Sequence, residues 1–91
     1  MSYTLAFTAE AQEGLRQLEP ALQEIVLDII DDVAIRPLAM RQRSVRGVTV
    51  YDFDRDMAGV RHTVFVILDV SHARHEVTVL RIGHASDPIN N

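Results

Sequence analysis

The chain has 91 residues, 47% of them apolar and 24% charged, with a formal net charge of −4 and no cysteine. Such a composition suits one globular domain over residues 1–91, excludes disulfides and thiolate metal sites, and argues against broad nucleic-acid affinity, which rests on neutralising phosphates. The longest wholly apolar run, Val64–Leu68, is too short to cross a bilayer. The opening Met1-Ser2-Tyr3-Thr4-Leu5 lacks the basic-then-apolar pattern of a signal peptide, so the expectation is a cytoplasmic protein.

Tyr3-Thr4-Leu5-Ala6-Phe7 places large apolar side chains at odd positions, the period of a half-buried strand. Thr8 is a suitable N-cap, with Glu10 near the positive end of a following helix. That helix carries the stripe Ala11, Leu15 and Leu18, and Gly14 weakens it by ~1 kcal/mol relative to Ala. Glu19-Pro20 marks a restart, since proline fits a first helical turn and not an interior. In the second helix Leu22, Ile25, Val26, Ile29, Ile30 and Val33 fall on one face, and Gln23, Glu24, Asp28, Asp31 and Asp32 on the other. Pro37 ends it.

Leu38–Arg46 reads as a polar, Arg-rich connection. Gly47 then opens Val48–Phe53, a strand by composition, and Asp54–Gly59 reads as a turn or loop. Val60–Val70 is apolar on both faces in its middle, as a central strand is. The turn-like Ser71-His72-Ala73-Arg74 leads into a last strand, Glu76–Ile82, and Pro88 with the closing asparagines suggests a frayed tail. Three consecutive strands with short connections form an antiparallel meander, the first strand can join beside the last, and the helices must bury their stripes on one face. The expected fold is therefore a two-layer α+β sandwich, β-α-α-β-β-β, with a mainly antiparallel sheet and a helical hairpin on one side.

In this order the chain resembles the RelE/ParE toxin superfamily of bacterial type II toxin–antitoxin systems. The resemblance runs over nearly the whole chain. It rests on Tyr3-Thr4-Leu5-Ala6-Phe7-Thr8 with Ala11 and Leu15–Leu18, on Pro37 after the long helix, and on Arg46-Gly47 before an aromatic strand. It also rests on Val60-Arg61, where the family tends to carry an aromatic–arginine pair, and on Val79-Leu80-Arg81-Ile82-Gly83-His84, which is similar to the family's closing strand. The chain departs from the pattern in several places. Ala85 stands for the arginine after Gly-His, and Ile89 falls about where many ribonuclease members have a tyrosine. Asp52 and Asp54 occupy a strand where basic residues are common, there is no lysine, and the step from Arg61 to Phe65 is one residue longer than usual.

The resemblance implies an antitoxin partner and, for a metal-independent endoribonuclease, a proton acceptor, a clamp for developing phosphorane charge and a proton donor. Asp52 or His84 suits the first role, Arg61 and Arg81 the second as forked donors, and His84 the third. These residues meet on one face only if the register permits, since a one-residue slip separates them. The plainer alternative makes Asp52 and Arg61 a cross-strand pair on a solvated face. All nine basic residues are Arg, and Arg36, Arg41, Arg43 and Arg46 fall in one stretch without an acid. Arg41, Arg43 and Arg46 suit RNA or an acidic antitoxin segment, or else form an ordinary solvated loop. His62, His72, His75 and His84 lack the clustered donors of a zinc site, and no cofactor or metal is called for. Three functions compete: a toxin cleaving mRNA at the ribosome, a poison of DNA gyrase, and a toxin-like binding or regulatory module without the nuclease site.

Overall fold

The computed structural model describes residues 3–35, 43–45 and 48–89. Along the chain run β1 (Thr4–Phe7), α1 (Ala9–Arg16), α2 (Pro20–Ile35), β2 (Arg43–Val45), β3 (Val48–Met57), β4 (Val60–Ser71) and β5 (Glu76–Pro88). The strands form one sheet in the order β1-β5-β4-β3-β2. β1 lies parallel to β5 with Leu5 opposite Val77 and Phe7 opposite Val79, and the other pairings are antiparallel. The α+β sandwich and the place of the first strand beside the last are as the sequence implies.

Thr8 joins the two layers. Its hydroxyl accepts from the Ala11 N–H at 3.1 Å, as an N-cap does, and donates to the Leu80 carbonyl at 2.7 Å. Its own N–H donates to the Val79 carbonyl at 3.0 Å. The start of α1 is thereby fixed to β5 at the point where β1 stops covering it. Gly14 continues that contact. A Cβ there would overlap the backbone carbonyl of Ile82, so the residue that weakens the helix is the one that lets it lie against the strand. Gln23 then donates from Nε2 to the Leu15 carbonyl at 2.9 Å, tying α2 to the end of α1.

The core lies between this hairpin and one face of the sheet. Leu22, Val26, Ile30 and Val33 of α2 are buried with Tyr51, Val64, Val66, Leu68, Val77, Val79 and Ile82. Ile25 and Ile29 flank that stripe, half-buried. Burying each aliphatic side chain of this size contributes about 1.5–3 kcal/mol relative to leaving it exposed, and α2 holds the layer through four of them.

Three element boundaries differ from expectation. Arg43–Val45, expected inside a connection, pairs with β3 as a further strand, Arg43 opposite Val50. β3 runs through Asp54, Arg55 and Asp56 to Met57 instead of looping from Asp54. These residues are poor strand formers alone, but Asp54 and Asp56 stand opposite Thr63 and Arg61, and cross-strand partners override propensity. The turn shrinks to Ala58-Gly59, both at positive φ (52° and 78°), a two-residue hairpin whose Ala-Gly sequence is a weak turn signal. β5 likewise extends past Ile82 to Pro88, because residues 84–88 pair with residues 60–64 of the lengthened hairpin. The predicted end of α2 at Pro37 lies outside the described residues.

Candidate functional site

The helices cover one face of the sheet, and among the described residues no element covers the other. Along β4 the side chains of His62, Val64, Val66 and Leu68 turn toward the helices and are buried. Arg61, Thr63, Phe65, Ile67 and Asp69 alternate with them and form the centre of the open face. Register then assigns the neighbours. Asp52 of β3 and Gly83 of β5 flank Phe65, Val50 and Arg81 flank Ile67, and Asp56 and Asp87 flank Arg61.

A bulge decides which side of the sheet β5 presents. Val79 pairs with Leu68 and Arg81 with Ile67, so Leu80 is an extra residue on β5. The Thr8 hydroxyl bonds the carbonyl of this residue. Strict alternation from Val79 would turn Arg81 toward the helices and His84 to the open face. The bulge reverses both. Ile82 enters the core, Arg81 reaches the open face and His84 joins the helix-side face opposite Val64.

Of the four residues assigned ribonuclease roles, Asp52, Arg61 and Arg81 therefore share the open face, and His84 stands behind it. Arg61 does not form the cross-strand pair with Asp52 that the plainer reading supposed. It faces Asp56, to which its guanidinium donates from Nε at 2.9 Å and from Nη2 at 3.2 Å. Those bonds hold the Asp56 carboxyl below its ordinary range and raise the Arg61 guanidinium, and the nearby Asp54 charge reinforces the latter. Asp54 accepts a hydrogen bond from the Thr63 hydroxyl at 2.7 Å. Arg81 is exposed at the rim of a shallow groove of about 560 Å³ between α1 and β5, where Glu10, Glu13, Gly14 and Gln17 form the opposite wall. Arg16 bonds to Glu13 there at 2.7 Å and lowers the pKa of that carboxyl. Arg41 and Arg46 lie outside the described residues, and of Arg43 the structure describes only the backbone pairing.

His84 is not idle on its own side. Its Nε2 lies 2.9 Å from Nδ1 of His62, which is 7% exposed. The planes are within 14° of parallel and the centroids 5.2 Å apart, so the rings meet edge to edge through that bond and not face to face. One imidazole must donate and the other accept. The pair offers a metal two donors where a structural zinc site needs four, and no group of three or more His, Cys, Asp or Glu suited to a metal occurs among the described residues.

Sequence reasoning missed the His62–His84 pair, because cross-strand partners on a shared face depend on register. The bulge did leave a trace. Val77 and Val79 keep a two-residue apolar period that Ile82 breaks by one, and such a break is what an inserted residue produces. Gly83 also has a role that composition hides. A Cβ there would overlap the Phe65 ring, so the ring lies across the glycine on the open face.

This architecture is found in toxins of known structure. The toxin–antitoxin complex RelBE2 from Mycobacterium tuberculosis contains a chain similar to this one with a TM-score of 0.68 and 21% identity, over 93% of both chains. The intact RelBE toxin–antitoxin complex of E. coli matches with a TM-score of 0.64 and 21% identity, over 90% of this chain and 95% of that one. The archaeal RelE–RelB complex from Pyrococcus horikoshii OT3 matches with a TM-score of 0.61 and 14% identity, over 100% of this chain and 99% of that one. No protein-family model matches the chain, and no curated protein does. The chain has the RelE toxin fold. The identities to these structures, all below a quarter, carry the likeness no further than architecture.

Proposed function

We propose that the chain is the toxin component of a bacterial type II toxin–antitoxin system, a cytoplasmic growth inhibitor neutralised by a cognate antitoxin. The observation that carries this reading is a RelE fold shared along 93% of both chains with a member of a toxin–antitoxin complex. No helix among the described residues is long and apolar enough to cross a membrane, which is compatible with that location. The working surface is the open sheet face, with Arg81 as the principal contact and Arg41, Arg43 and Arg46 as further contacts to target or antitoxin. In an endoribonuclease, Asp52 would take the proton from the 2′-hydroxyl and Arg61 and Arg81 would hold the phosphate. His84 would have to act from the opposite face, with its Nε2 already bonded to His62.

A second reading is favoured by charge. The described open face carries Asp52, Asp54, Asp56, Asp69, Glu76 and Asp87 against Arg61 and Arg81. Among the described residues six carboxylates surround two guanidiniums, one of them already held by Asp56, a balance that repels a phosphodiester there. This supports gyrase poisoning or a binding module without the nuclease site over mRNA cleavage. The test is tightly controlled expression in a bacterial host, with and without a neighbouring small open reading frame as candidate antitoxin. Growth arrest relieved by the neighbour is the expected outcome. Cut mRNA at ribosomes would assign the nuclease, and an SOS response with intact mRNA would assign gyrase. Folded protein that accumulates without slowing growth would overturn the toxin reading.

A further inference from the structure

The open face has a second property besides its charge. Phe65 and Ile67, two residues apart on the central strand, are half-buried although no layer lies over them among the described residues, and Val50 extends the strip onto β3. The Phe65 ring lies across Gly83, which leaves an apolar floor with no side chain rising on the β5 side of the ring, while Asp52 stands on the β3 side. Carboxylates rim this floor at both ends of the strands, Asp54, Asp56 and Asp87 toward the Ala58-Gly59 turn and Asp69 and Glu76 toward the other. An apolar strip that no described element covers marks a docking surface. The two-residue spacing of Phe65 and Ile67 fits alternate side chains of an extended segment.

We propose that this face docks a cationic polypeptide segment with apolar anchors and not a nucleic acid, and that in the toxin reading, on which this assignment rests, the segment belongs to the antitoxin. The anchors lie over Phe65 and Ile67, and lysine or arginine side chains of the segment meet Asp54 and Asp87. Charge complementarity selects this occupant. A polyanion meets repulsion along both rims, and among the described residues an acidic segment finds Arg81 alone, because Arg61 is held in a two-pronged bond by Asp56. The solvent side of α2 is also acidic, through Glu24, Asp28, Asp31 and Asp32, but its buried stripe is already spent on the core, so it offers charge without a floor.

The experiment compares three fluorescent probes of similar length on the full chain: a lysine–valine peptide, its glutamate–valine counterpart and a single-stranded RNA. The lysine–valine peptide is expected to bind tightest, weakening as salt rises. Asp54→Asn combined with Asp87→Asn should weaken it about tenfold, whereas Glu24→Gln combined with Asp28→Asn, which removes the same charge from α2, should change it by less than about twofold. Circular dichroism checks that each variant is folded. Tighter binding of the RNA or the acidic peptide, or equal losses from the sheet and α2 variants, would overturn the proposal. Growth arrest is scored separately. Arrest without lysine-peptide binding removes the docking assignment alone, and binding without arrest removes the toxin reading while leaving the docking face in place.

Discussion

The two faces of this sheet are made by the same three strands and obey different rules. On the helix side Val64, Val66, Leu68, Val77 and Val79 are fully buried, Tyr51 is buried beside them, and the buried His62 is bonded to His84. On the open side the same strands alternate charged residues with a short apolar strip. The buried part of the first face holds no Asp, Glu or Arg among the described residues, because a desolvated ion costs several kcal/mol, and Arg55, opposite His62, stays exposed. The second keeps six carboxylates that contribute little to folding, since exposed pairs are worth about 0–1 kcal/mol. Residues kept in that surplus are the ones to look to for recognition, while the helix side explains why the chain folds.

Substitutions of similar chemistry on the two faces should differ sharply in their effects. Leu22→Ala, in the α2 stripe, should cost about 2–5 kcal/mol in denaturant unfolding, whereas Ile67→Ala on the open face should cost about 1 kcal/mol or less. Comparable losses would mean that the open face is a second core. The glycines give the next test. Helix propensity alone makes Gly14→Ala stabilising by ~1 kcal/mol, but the overlap with the Ile82 carbonyl reverses the sign to a loss of about 1–3 kcal/mol as α1 lifts from β5. At Gly83→Ala the nearest obstacle is the Phe65 ring, which can swing into solvent, so its effect on the melting temperature should be smaller than that of Gly14→Ala.

Removing His84 leaves the buried His62 nitrogen without its partner, and His84→Ala should cost about 1 kcal/mol through that unmet group. The smallest effect comes from the exposed pair of Asp56 and Arg61. Because the Asp56 carboxyl titrates below its ordinary range, the pair's contribution is present at neutral pH and is lost as pH falls through the lowered value. In a carboxyl NMR titration, Arg61→Ala should return Asp56 upward toward the usual range, with little change in stability at neutral pH.

Much of the fold was legible from periodicity and punctuation. Leu22 through Val33 could bury a stripe only as a helix, Thr8 and Pro20 marked where helices begin, and Val60–Val70 could be apolar on both sides only in a sheet centre. What escaped depended on partners distant in sequence. Asp54-Arg55-Asp56 look like a loop until Arg61 and Thr63 stand opposite them. Arg43–Val45 becomes a strand only because β3 offers an edge. The candidate site was legible in its residue types and not in its assembly. Arg81 and Asp52 do share a face, but the extra residue at Leu80 decides that, and it sends His84 away. The position of Arg61 in the chain carried no sign that Asp56 would hold it.

The most direct measurement of the account follows bacterial growth during controlled expression of the wild-type chain, of Arg81→Ala, and of the α2 surface variant Glu24→Gln/Asp28→Asn, with thermal unfolding run on each purified protein. If the helix-free face does the work, the wild type and the α2 variant arrest growth alike, while Arg81→Ala folds normally and arrests it far less. A folded Arg81→Ala chain that arrests growth as strongly as the wild type would contradict the account.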